Sequence, residues 1–147
     1  MATYQSTRAI PTQSAKYLPG IVVDDCEFDL TAALALNDVI QLFKIPAGAK
    51  ILDFMIDIPK LDSNATPTVE LDLGDTANAE NYYVAASTKG QNAAIMSSAN
   101  DMKPGTVGTY YSADDVLALT VHTAPATGET TGKLRAWVMY TIDESAV

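Results

Sequence analysis

The chain of 147 residues carries 9 Lys and Arg against 18 Asp and Glu, a formal net charge of −9, with 48% hydrophobic and 18% charged residues. That length suits one domain able to bury its own core, and the single cysteine, Cys26, excludes an intrachain disulfide framework. No apolar run approaches the ~18 residues of a membrane span, and phosphate binding requires clustered Lys and Arg, so neither a membrane nor nucleic acid is an expected partner.

Residues 1–19, MATYQSTRAIPTQSAKYLP, hold Arg8 and Lys16, no acid and two prolines, without helical or alternating periodicity. They read as an extended N-terminal arm with a charge of +2, which leaves 7 basic and 18 acidic residues, or −11, on a domain spanning 20–147. No apolar stretch of the kind found in export leaders follows the start, so no leader is expected. Tyr4, Ile10, Tyr17 and Leu18 are the apolar anchors by which the arm could hold a partner.

From Gly20 onward the period is two. In IVVDDCEFDL, 21–30, Cys26, Phe28 and Leu30 alternate with Asp25, Glu27 and Asp29. The segment DLTAALALND supports at most a helical turn over Ala32–Leu36, capped by Asp29 or Thr31. VIQLFKI, 39–45, is a strand with apolar residues on both faces, Val39, Phe43 and Ile45 against Ile40 and Leu42. In 51–60, Leu52, Phe54, Ile56 and Ile58 oppose Asp53, Met55 and Asp57 until Pro59 ends the ladder. TVELDL, 68–73, sets Val69, Leu71 and Leu73 against Glu70 and Asp72. Weaker strands are expected at 82–87 and 106–112, separated by a long loop over 89–102. In 116–122, Leu117, Leu119 and Val121 form the inner set and His122 falls outside. The last strand, 133–142, has Leu134, Ala136, Val138, Tyr140 and Ile142 inward and Lys133, Arg135, Trp137, Met139 and Thr141 outward. Eight strands divided by turns such as PAGAK, DSNATP and TAPATGETTG predict an all-β antiparallel sandwich or barrel with Phe28, Leu30, Leu52, Phe54, Ile56, Leu71, Leu119, Val121, Leu134 and Val138 in one core.

Catalytic constellations are missing. One histidine and one cysteine cannot assemble a Cys/His zinc site, and a Cys26–His122 nucleophilic pair is outweighed by a buried cysteine and a strand-end histidine. There is no phosphate loop, dinucleotide fingerprint or nucleophile elbow. The carboxylates at Asp24, Asp25, Glu27 and Asp29, and at Asp72 and Asp75 around Gly74, match no calcium loop and read as a solvated acidic face; Asp114 and Asp115 read as a turn. No enzyme activity and no cofactor or metal is expected. Trp137 and Met139 make the closing strand apolar on both sides, which calls for a second cover by a loop, the arm or another subunit, the last because Trp, Met and Arg favour interfaces.

Across nearly its whole length, in KYLPGIVV, NDVIQLFKIPAGAKIL, VELDLGDTANAENYYVAAS and ADDVLALTVHTAPATGETTGKLRAWVMYTID, the sequence resembles the small head-decoration, or capsid cement, proteins of tailed bacteriophages. The resemblance implies a β-jelly-roll of about eight strands and no catalytic residues. It also implies a homotrimer on the exterior of a virion shell, made in the host cytoplasm, that binds the major capsid protein and locks neighbouring capsid subunits. Tyr4, Arg8, Ile10, Lys16, Tyr17, Leu18, Trp137 and Met139 are then the expected capsid or subunit contacts. The alternatives are a tail, head-fibre or fibre-base component, and a carbohydrate-binding jelly roll using Tyr82, Tyr83, Tyr110 and Tyr111.

Overall fold

A computed structural model describes residues 1–5 and 20–143. Its strands are β1 (Thr3–Gln5), β2 (Ile21–Leu30), β3 (Val39–Ile45), β4 (Ala49–Ile58), β5 (Glu70–Gly74), β6 (Val84–Ser87), β7 (Ala94–Ser97), β8 (Asp115–Thr123) and β9 (Gly132–Ile142). A 3-10 turn (Thr88–Gly90) and a single helical turn, α1 (Ser98–Asp101), flank β7. One sheet runs β2-β9-β4-β7 and the other β1-β3-β8-β5-β6. Leaving β1 aside, the first, eighth, third and sixth strands of the remaining set build one sheet, and the second, seventh, fourth and fifth build the other. That interleaving is the jelly roll, two Greek keys wrapped into a sandwich. All pairings are antiparallel except the parallel one of β1 to β3.

Alternation decides which side chains enter the space between the sheets. Cys26, Leu30, Phe54, Ile56, Ile58, Leu71, Leu73, Leu117, Leu119, Val121, Leu134, Ala136, Val138 and Tyr140 are all buried in one cluster, and Phe28 packs against it half-buried. Two expectations fail where the ladder slips. In β4 a register shift between Ile51 and Asp53 places two residues opposite one on β9, so Ile51 turns inward to 1% exposure and Leu52, expected in the core, is only half-buried. In β3 the same device between Gln41 and Phe43 sends Ile40, Leu42, Phe43 and Ile45 all inward. The two-sided apolar character of that strand is therefore a bulge within one core rather than a sign of a second cover.

The expected strand at 106–112 is absent. Gly105 and Gly108 both sit at φ 87, in the left-handed region that breaks an extended run, and only Tyr110 forms an isolated bridge, to Lys50. The eighth sandwich strand is instead β7, inside the segment expected to be a loop, where Met96 lies buried opposite Ile56. Residues 32–36 form no helical turn: Asp38 Oδ2 accepts the Ala35 N–H and Asn37 takes φ 66, giving a tight corner into β3.

The first residues are part of the sheet. Thr3, Tyr4 and Gln5 pair with Val39, Ile40 and Gln41, Ala2 N donates to Asp38 Oδ1 at 2.7 Å and Val39 N donates to Ala2 O at 2.8 Å. The rest of the expected arm, residues 6–19, lies outside the described residues.

Candidate interaction face

The register across β2, β9 and β4 fixes what the sheet turns away from the core. Successive rows, starting from the end where β4 begins, read Ile21–Thr141–Lys50, Val23–Met139–Asp53, Asp25–Trp137–Met55 and Glu27–Arg135–Asp57, then Asp29–Lys133. On the far side of β4, Ser97 pairs with Met55 and Ile95 with Asp57, while the Ser98 hydroxyl donates to Asp53 Oδ1. The first three rows hold most of the apolar residues: Ile21 is 60% exposed, Val23 65% and Met55 37%, with Trp137 and Met139 half-buried among them, while Ile95, 48% exposed, lies one row further on beside Asp57. Lys50 lies 5.1 Å over the Tyr110 ring at the rim, a cation–π contact that leaves the tyrosine itself exposed.

In the last two rows the charged residues of β2 and β9 pair with one another. Lys133 Nζ lies 2.7 Å from Glu27 Oε2 and 3.2 Å from Asp29 Oδ1, and Arg135 Nε lies 3.2 Å from Glu27 Oε1. Glu27 and Asp29 raise the Lys133 ammonium above the usual lysine value, and Lys133, then Arg135, hold the Glu27 carboxyl below its own. Asp53 and Asp57, flanking Met55 on β4, have no cationic partner among the described residues.

The outer face of the other sheet is different in kind. Gln5 Nε2 donates to Gln41 Oε1 there, and His122 Nδ1 lies 2.9 Å from Asp72 Oδ2, whose partner oxygen accepts the Ala86 N–H at 2.7 Å. His122 is thus outward, as alternation requires, whereas Cys26 is buried on the inner face of the opposite sheet, and the structure does not bring the two together. Among the described residues no three His, Cys, Asp or Glu gather as a metal-binding group.

Two acids expected on a solvated face, Asp72 and Asp75, and two in expected turns, Asp62 and Asp115, are interior fasteners, because each meets backbone N–H groups that would otherwise be unsatisfied. Asp72 and Asp75 are both buried. Asp75 Oδ2 accepts the Tyr111 hydroxyl at 2.6 Å, Tyr111 and Tyr83 share a 2.8 Å hydroxyl contact, and Asp75 Oδ1 accepts the Asn78 N–H. Burial pushes both phenols well above the ordinary tyrosine value, so both hydroxyls stay protonated as donors. Asp115 takes the Thr76 hydroxyl and the Ala77 and Val116 N–H groups. Burial opposes its ionisation, but those donors outweigh burial and the carboxyl lies below the usual range. At the other end of the sandwich, Asp62, 0% exposed, collects four backbone N–H groups from two loops: Asn64, Thr68, Ala126 and Thr127. Nothing in the alternation pattern marks these positions, since the donors come from distant loops; only the clustering of Asp beside Gly, Asn and Thr in turns hints at them.

Of the expected contact residues, Trp137 and Met139 lie side by side in the apolar rows, confirming the two-sided character of β9. Tyr4 is half-buried and meets Phe28 edge-on at 5.7 Å, so its ring packs against this chain's own core. Arg8, Ile10, Lys16, Tyr17 and Leu18 lie outside the described residues. Sequence reading missed Ile21, Val23, Met55 and Ile95 as members of the face, although each shares the parity of Trp137 through the register. Of the four tyrosines considered for a sugar groove, Tyr82 bonds Thr109, Tyr83 and Tyr111 are buried, and Tyr110 alone is exposed.

No family model and no curated protein matches the sequence. Solved structures do match in fold. A chain of the capsid of Ralstonia phage GP4 is similar over 97% of this chain and 99% of that one, with a TM-score of 0.77 and 24% identity. A chain of the Cyanophage Pam1 capsid asymmetric unit is similar over 91% and 100% respectively, at a TM-score of 0.69 and 24% identity. The acidic stable capsid structure of Helicobacter pylori bacteriophage KHP30 contains a third, over 83% and 87%, at 0.58 and 17%. The chain is an all-β jelly roll, sharing that fold over most of its length with chains found in phage capsids.

Proposed function

We propose that this protein is a structural virion component which binds the outer surface of a phage capsid as a homotrimer and cements neighbouring capsid subunits. The observation that carries the reading is the match of fold to a chain of a phage capsid over 97% of this chain and 99% of that one. The architecture supports it: a sandwich fastened at both ends by buried carboxylates presents a rigid body, and one of its two outer faces exposes Ile21, Val23, Met55 and Ile95. A protein that binds the assembled shell more tightly than its loose subunits stabilises the shell by mass action. Many copies around one lattice multiply modest contacts. In this reading the chain is not an enzyme, and the segment with Arg8, Ile10, Lys16, Tyr17 and Leu18 adds attachment to that of the body. Quantitative mass spectrometry of purified particles tests it. A copy number on the scale of the shell subunits is expected; a few copies per particle would move the protein to a tail, head-fibre or fibre-base position.

A further inference from the structure

We infer that the apolar half of the outer β2-β9-β4-β7 face docks the capsid shell rather than a second copy of this chain, and that it receives a partner surface combining apolar side chains with Lys or Arg. The inference rests on the capsid reading above and names the site through which it works.

The choice between partners turns on charge. The apolar centre, Val23, Met139, Trp137 and Met55, is bordered along β4 by Asp53 and Asp57. Among the described residues the basic groups of the same face are already engaged: Lys133 by Glu27 and Asp29, Arg135 by Glu27, and Lys50 by the Tyr110 ring. Two copies meeting through this face would bring β4 carboxylates toward each other with no ion-pair partner of their own among the described residues, and each copy carries −9. A partner offering a basic side chain beside an apolar one satisfies both halves of the pattern, and complementarity of this kind sets specificity and association rate. On the opposite outer face the exposed His122 bonds the buried Asp72, and Gln5 and Gln41 bond each other, so these polar groups are engaged within the chain.

Capsids purified without this protein, mixed with purified variants and scored for bound protein by sedimentation, provide the test. Met55→Glu, which adds a third carboxylate to the β4 column, and Asp57→Lys, which reverses one, are each expected to weaken binding about tenfold or more. Lys44→Glu, an exposed change on the other sheet, is expected to bind as wild type. All three should retain the wild-type β-sheet circular dichroism and oligomeric mass. Wild-type binding that survives both face substitutions overturns the inference and leaves the capsid reading standing. A face substitution that lowers the oligomeric mass overturns it in favour of a second copy as the occupant. Wild-type protein that binds no capsid at all removes the capsid reading and this partner with it.

Discussion

Tyr111 donates its hydroxyl proton to Asp75 across 2.6 Å, both residues buried, and the same hydroxyl lies 2.8 Å from that of Tyr83. The contact ties the loop after α1 to the loop after β5, 36 residues apart in the chain, and closes one end of the sandwich. Replacing Tyr111 with Phe keeps the ring and removes the donor, leaving a buried carboxylate short of a partner. We expect a loss of roughly 1–3 kcal/mol, the cost of an unsatisfied buried group. Denaturant unfolding measures it, with the slope unchanged because the fold buries the same surface. A variant as stable as wild type would show that Asp75 is satisfied by Asn78 alone.

Gly74 ends β5 where no side chain fits. A Cβ there would run into the carbonyl oxygen of Ala79 and stand 2.5 Å from the Glu80 carbonyl carbon, both of them backbone. Backbone cannot swing aside as a flexible side chain can. Gly74→Ala should therefore cost at least the ~1–3 kcal/mol typical of an overpacked interior, and it should loosen the Asp75 turn. Thermal melting reads the first effect, and faster amide exchange at Tyr83, whose N–H donates to Leu73 O, reads the second.

The bulge in β4 makes a prediction that alternation alone would reverse. Ile51 is 1% exposed and Leu52 half-buried, so Ile51→Ala should cost about 2–5 kcal/mol, in the range of a core deletion, and Leu52→Ala clearly less. Phe54→Ala should cost about 3–5 kcal/mol, because its ring is 1% exposed and packs edge-on against Tyr83. Equal losses at 51 and 52 would place the register slip elsewhere.

That comparison also shows what the sequence could tell. Where a strand keeps strict alternation, as β9 does from Leu134 to Tyr140, the inner and outer sets follow from side-chain parity, and Trp137 was legible as outward. Parity is lost at a bulge, which changes face without changing composition, so Leu52 and the inner set of β3 were misplaced. β7 escaped notice because a four-residue strand of AIMS carries too few alternations to register. The interaction face was only half visible: Trp137 and Met139 stand out on one strand, but Val23 and Met55 join them only through a pairing register that no single strand encodes. The buried aspartates were illegible for a similar reason, since their donors arrive from loops distant in the chain.

Asp62 is the strongest case of such a fastener and gives the protein a defined response to acid. Its two oxygens accept N–H groups from Asn64 and Thr127 on one side and from Thr68 and Ala126 on the other, at 2.8–3.1 Å. Burial disfavours the charged carboxylate, yet these four donors bind the charged form and outweigh burial, so the folded-state carboxyl lies far below its ordinary value of 3.8. A depressed folded value means that the folded state holds its proton less tightly than the unfolded chain. The stabilisation is then complete above the unfolded value and is lost progressively as pH falls from there through the lower, folded one. Asp62→Asn offers one acceptor oxygen in place of two and cannot carry the charge, so it should melt below wild type at neutral pH. The gap between the two melting temperatures should stay constant down to about pH 5 and narrow only as pH drops below 3.8 toward the folded value. Added salt should leave the gap nearly unchanged, because the partners are buried backbone dipoles rather than exposed ions. A gap that closes at higher pH, or that salt abolishes, would show that Asp62 acts through a surface ion pair and not through the two loops it holds together.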